Sequence, residues 1–154
     1  MSEQLVVDGY NVIHAWRDLR SLIAESLELA RERLVSRLAI LAQVTGAEVS
    51  VVFDAHRRKG GPGRLEAAQE LESSVDGVRV AFTRRAKSAD QVIERMAYEA
   101  QERGAPLLVA TSDTVHRAML RGMGAAVIDA DELLRRVTAA EAELARRLRA
   151  YSRR

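Results

Sequence analysis

Five carboxylates occupy positions from which they could act together. Asp8 closes the apolar run Leu5–Val7, and Asp54 closes Val49–Phe53. Asp113 follows Leu107–Ala110 after a Thr-Ser step. Asp90 opens the helical pattern after Val78–Phe82, with Glu94 one turn further along the same face. Four of the chain's eight aspartates therefore fall at the carboxyl ends of strands, where open α/β sheets collect their ligands. Carboxylates gathered in one crevice repel, and without a cation some of them would stay protonated. A hard divalent ion removes the conflict. Mg²⁺ and Mn²⁺ both prefer oxygen ligands and leave positions open for water and phosphate oxygens. Such a site serves phosphoryl chemistry: the ion polarises a phosphodiester, provides a hydroxide near neutral pH and steadies the leaving oxygen. Taken singly, Asp90 also suits the positive end of a helix and Asp113 suits an N-cap. Their coincidence at one end of a sheet favours a shared site.

Other chemistries fit less well. There is no G-x-x-x-x-G-K-[ST] loop, no G-x-G-x-x-G after the first strand and no G-x-S-x-G elbow. The segment Gly60-Gly61-Pro62-Gly63 is too short to cradle phosphate and has a proline where an N–H is wanted. The absence of cysteine excludes disulfides, thiolate zinc sites, iron–sulfur clusters and cysteine nucleophiles. His14, His56 and His116 have no metal-ligand spacing. His14 and His116 read as packing or surface residues. His56, beside Asp54 and a basic loop, could contact phosphate. Net charge is only +2, so its distribution says more than its size. Arg57, Arg58 and Lys59 lie in a segment without acids, Arg84, Arg85 and Lys87 follow the third strand, and the last twenty residues hold seven arginines and two glutamates. Arginine's planar fork suits phosphate, although clusters of this kind also occur as ordinary solvated surface.

Positioning these groups requires a particular scaffold. At 154 residues, 47% hydrophobic and 30% charged, the chain suits one domain with a buried core. Five short apolar runs alternate with helical patterns: Leu5–Val7, Val49–Phe53, Val78–Phe82, Leu107–Ala110 and Ala125–Ile128. Continuous runs of this length predict strands buried on both faces. Helices are predicted over Leu19–Val44, more weakly over Leu65–Ser73, from a Ser88/Gln91 capping box onward, and over Asp113–Arg121 and Asp129–Val137. This alternation predicts an α/β fold with a mostly parallel five-stranded sheet. The expected division is a domain over 1–137 and a basic helical tail over 138–154, which either docks or projects. No apolar run reaches the roughly 20 residues of a membrane span. No basic stretch followed by an apolar one opens the chain, so a cytoplasmic location is expected.

The blocks LVVDGYNVIHAW, VVFDAH, FTRRAKSADQVIERMAYE and VATSDTVHRAM, in this order, resemble the NYN domain and in particular its YacP-like bacterial branch. The resemblance runs from about Leu5 to Val137. It implies a PIN-like three-layer fold and a metal-dependent endoribonuclease, Mg²⁺ or Mn²⁺ being the cofactor. It also implies an mRNA substrate and work in contact with the ribosome. Carried over residue by residue, it implies that Asp8, Asp90 and Asp113 hold the metal. Glu94 and Asp54 would support them, while Asn11 and Ser112 would orient a carboxylate or the scissile phosphate. Arg57, Arg58, Lys59, Arg84, Arg85 and Lys87 would follow the RNA backbone, and Tyr10 or Trp16 could stack a base. In-line attack by water with departure of the 3′-oxygen would leave 5′-phosphate and 3′-hydroxyl ends. Two rival readings remain: a non-catalytic RNA- or ribosome-binding module, and a receiver-type switch phosphorylated on Asp54. The switch wants a lysine after the fifth strand, where this chain has Ile128-Asp129.

Overall fold

The computed structural model describes residues 3–54, 71–83 and 87–153. Among them the order is β1 (Gln4–Asp8), α1 (Gly9–Ala15), α2 (Arg17–Leu22), α3 (Leu27–Thr45), β2 (Glu48–Phe53), β3 (Leu71–Val75), β4 (Val78–Phe82), α4 (Ala89–Glu102), β5 (Leu108–Ala110), α5 (Thr114–Gly122), β6 (Ala126–Ile128) and α6 (Ala130–Ser152). One sheet has the strand order β3-β4-β2-β1-β5-β6. Every pairing is parallel except β3 with β4.

Alternation along β1 divides the core into two layers. Leu5 and Val7 face a large cluster with residues of α1, α2, α3 and α6, including Trp16, Leu34, Leu38 and Leu133. Val6 faces the opposite cluster with Ile93, Ala97 and Leu120 of α4 and α5. The predicted mixed α/β architecture with a mostly parallel sheet is therefore present, with helices on both faces.

The sheet has one strand more than the five predicted. The end of the predicted Leu65–Ser73 helix is strand instead: Leu71–Val75 pairs antiparallel with β4. The rest of that predicted helix lies outside the described residues. Asp76 and Gly77 close the hairpin with φ of 50° and 87°, the two positive values that a tight two-residue hairpin demands. The Glu- and Ala-rich composition upstream favours helix locally, and pairing with β4 overrides that preference. The predicted Leu19–Val44 helix is two helices. Ser26 caps the second by accepting the Leu29 N–H at 3.1 Å.

α6 runs unbroken through Val137 and Thr138. Its first half docks, with Leu133, Val137 and Ala140 buried. Its far end projects, leaving Leu148 and Tyr151 exposed. The last docked turn is held by Arg37 of α3, which donates to Glu141 from Nε at 3.0 Å and from Nη2 at 2.9 Å. The same guanidinium lies 5.0 Å above the Trp16 ring and reaches Asp18 at 3.2 Å. Arg37→Ala is expected to lower stability by about 1–2 kcal/mol, read as a lower urea midpoint at unchanged slope.

Candidate metal centre

β1 is an interior strand, flanked by β2 and β5. Asp8 sits at its carboxyl end and is buried, and the chain turns at once into α1. Its carboxylate Oδ2 accepts the Thr111 hydroxyl at 3.2 Å. Thr111, wholly buried, in turn accepts the Asp113 N–H at 3.3 Å. This relay ties the end of β1 to the loop between β5 and α5. Burial, and after it the nearby Asp90 charge, raise the Asp8 carboxyl from its ordinary 3.8 to about 6. The Thr111 hydroxyl, the His116 side chain and the Asn11 N–H pull it down without cancelling the rise.

Asp90 is set by the start of α4. Ser88 and Gln91 form the expected capping box: the Gln91 N–H donates to Ser88 Oγ at 3.2 Å, and the Ser88 N–H donates to Gln91 Oε1 at 3.0 Å. Asp90 therefore lies in the first turn and Glu94 one turn later. Both face His116 of α5, whose Nδ1 is 3.4 Å from Asp90 Oδ1 and whose Nε2 is 3.7 Å from Glu94 Oε1. His116 is only 2% exposed, and neither ring nitrogen makes a hydrogen bond. One ligand atom each from Asp8, Asp90 and His116 lies within 4.8 Å of the others. These donors suit a divalent cation. It would offset the Asp8–Asp90 repulsion and give the buried imidazole a partner.

The remaining expected residues take distinct places. Asp113 caps α5 by accepting the His116 N–H at 3.1 Å and is not one of the three converging residues. Asn11 Oδ1 accepts the Ser112 N–H at 2.8 Å, and Ser112 Oγ accepts the Ala130 N–H at 2.9 Å. These two side chains join α1, the β5–α5 loop and the start of α6. Asp54 is half-buried just past β2, two residues beyond the Val52 that pairs with Asp8. Lys87 is half-buried ahead of α4. Arg57, Arg58, Lys59, Arg84, Arg85 and His56 lie outside the described residues. Tyr10 and Trp16 do not offer a face to a base. Both are buried, Tyr10 accepting from Arg31 at 3.1 Å and Trp16 donating Nε1–H to the Ala130 carbonyl at 2.8 Å.

His116 is the site residue that the sequence reading set aside. A signal was present. It shares the buried face of α5 with Leu120, four residues on, and it stands three residues after an N-capping Asp at a strand's carboxyl end. A histidine on an apolar helical face at that position is directed towards the ligand end of the sheet.

The chain is similar in sequence and in fold to known proteins. The family model of the YacP-like NYN domain matches residues 5–154. The uncharacterized protein YacP of Bacillus subtilis (strain 168) is 41% identical over 145 residues, covering 94% of this chain and 81% of the relative. The crystal structure of Rae1 (YacP) from Bacillus subtilis superposes with a TM-score of 0.82 at 38% identity, over 99% of this chain and 82% of that one. A tryptophan-to-leucine variant of the same protein gives 0.78 at 36%, over 97% and 83%.

Proposed function

Because the chain belongs to the YacP-like NYN domain family, a nuclease-like domain, we propose that it is a metal-dependent endoribonuclease that cuts RNA in the cytoplasm, with mRNA on the ribosome as its substrate. The observation that carries this reading is the convergence of Asp8, Asp90 and His116, with Glu94 alongside, at the carboxyl end of the central strand. Asp8 and Asp90 would hold a divalent ion. When bound, that ion supplies positive charge to the phosphodiester and lowers the pKa of the attacking water. Glu94, 22% exposed at the edge of the cluster, would serve as the proton acceptor for the attacking water. The Thr111 hydroxyl holds Asp8 in one orientation. Asn11 and Ser112 keep the β5–α5 loop, and with it His116, at a fixed distance from β1. Asp54, and Asp113 beside the helix start, would shape the approach of the backbone phosphates. Lys87 and the neighbouring basic residues would offset phosphate charge, so affinity for RNA should fall with added salt.

The test is cleavage of RNA with Mg²⁺ or Mn²⁺, with and without translating ribosomes. The expected result is cutting that EDTA abolishes, leaving 5′-phosphate and 3′-hydroxyl ends. Intact RNA under both ions with ribosomes present would overturn the reading. Binding that survives EDTA would then leave a non-catalytic RNA-binding module.

A further inference from the structure

We infer that His116 is itself a ligand of the ion, and that this nitrogen donor makes the site prefer a first-row transition ion to Mg²⁺. The inference rests on the metal-dependent reading above and specifies which ion that site selects.

The argument begins with an unmet requirement. A buried imidazole ordinarily gives its N–H to one partner and accepts at the other nitrogen. His116 is 2% exposed, and both Nδ1 and Nε2 are buried without a hydrogen bond. The nearest acidic atoms, Asp90 Oδ1 at 3.4 Å and Glu94 Oε1 at 3.7 Å, are not placed to accept one. The 3.4 Å from Nδ1 to Asp90 Oδ1 is the separation of two atoms sharing an ion, while Nε2, the other ring nitrogen, faces Glu94. At a bond length of about 2.1 Å, neighbouring ligands of an octahedral ion lie about 3 Å apart and opposed ones about 4.2 Å apart. The Asp8, Asp90 and His116 donors lie within 4.8 Å of one another, so a small contraction closes the set.

The ring is also held in place by its own helix. Asp113 Oδ1 accepts the backbone N–H of His116 and fixes the first turn of α5, which presents His116 and Leu120 on one buried face. The two carboxylates come from other elements, β1 and α4. The three donors are thus brought together by the packing of the fold. An all-oxygen site would suit Mg²⁺, which keeps hard ligands and its waters. Two carboxylates with an imidazole shift affinity towards transition ions, for which nitrogen donors are favourable.

The experiment has two arms. Wild-type protein loaded with Mn²⁺ is examined by pulsed EPR for the ¹⁴N coupling of a coordinated imidazole. Calorimetry compares Mg²⁺, Mn²⁺ and Co²⁺ binding by wild type and by His116→Asn, which puts an amide in place of the ring. The expected results are nitrogen coupling in the wild type and tighter Mn²⁺ and Co²⁺ than Mg²⁺. In the variant, Mn²⁺ and Co²⁺ affinities should fall at least about tenfold while Mg²⁺ changes little. Retained Mg²⁺ binding shows that the variant is folded; if it does not fold, the wild-type spectrum decides. Bound Mn²⁺ without nitrogen coupling, or Mg²⁺ bound as tightly as Mn²⁺, overturns the role of His116 and leaves the nuclease reading in place. No binding of any of the three ions at millimolar concentration removes both.

Discussion

Asp8→Asn is expected to abolish RNA cleavage and, in the metal-free protein at pH 8, to raise stability by about 3 kcal/mol. The loss follows from the place of Asp8 at the end of the central strand, where it supplies one of three converging donors. The gain follows from its titration. Burial, and then the Asp90 charge, lift its carboxyl from 3.8 to about 6 in the folded protein. The folded state therefore holds this proton more tightly than the unfolded chain does. That contribution is complete below about pH 3.8 and is lost as pH rises through about 6. At pH 8 the wild type folds around an ionised, poorly solvated carboxylate, and an amide of the same shape removes that cost. Urea unfolding of wild type and variant from pH 3.5 to 8, in EDTA, measures the difference. The two curves should meet near pH 3.5 and separate to a constant gap above pH 7. A gap independent of pH, or a variant less stable at pH 8, would contradict the assignment. With a divalent ion present, the ranking should reverse, because only the wild type gains binding energy from it.

Gly9→Ala is expected to destabilise the protein by about 3 kcal/mol and to weaken divalent-ion binding. Gly9 is not needed for an unusual backbone angle; it begins α1. It is needed for space. A Cβ there would overlap two ring carbons of Phe53 and lie 3.1 Å from a third. Phe53 cannot move aside. It is fully buried, with the Tyr10 ring 5.0 Å and the Phe82 ring 5.4 Å from its own. Its strand is hydrogen-bonded to β1 and β4. The strain must then lift α1 from the sheet, and with it Asp8 and Asn11. A double-mutant cycle with Phe53→Leu tests the cause. If the Phe53 ring is the obstacle, the leucine background should reduce the cost of Gly9→Ala by at least about 1 kcal/mol. Additive losses would place the strain elsewhere.

Several features of this protein follow from its sequence alone. Buried parallel strands have to be continuously apolar, so Leu5–Val7 and Val49–Phe53 stand out from the amphipathic helices between them. A residue at or just past the end of such a run lies at the ligand end of the sheet, which is why Asp8, Asp54, Asp113 and the Asp90–Glu94 pair could be read as one group. Capping is equally local: Ser88 and Gln91 satisfy each other within four residues, so the start of α4, and the phase of Asp90 on it, are legible without any partner. The tertiary structure decided what depends on distant neighbours. β3 is a strand only because β4 offers it an edge, against a helical local composition. Trp16 is a core residue because the Ala130 carbonyl, 114 positions away, accepts its N–H. Gly9 is required by the ring of Phe53 rather than by its own backbone. His116 carries no metal-binding spacing in the chain. It joins the site because α4 and α5 pack side by side and bring a buried imidazole against two carboxylates whose partner groups lie far away in sequence. Periodicity and capping act over a few residues and are written locally. Coordination and steric exclusion act through space, and they exist only once the helices and strands are packed.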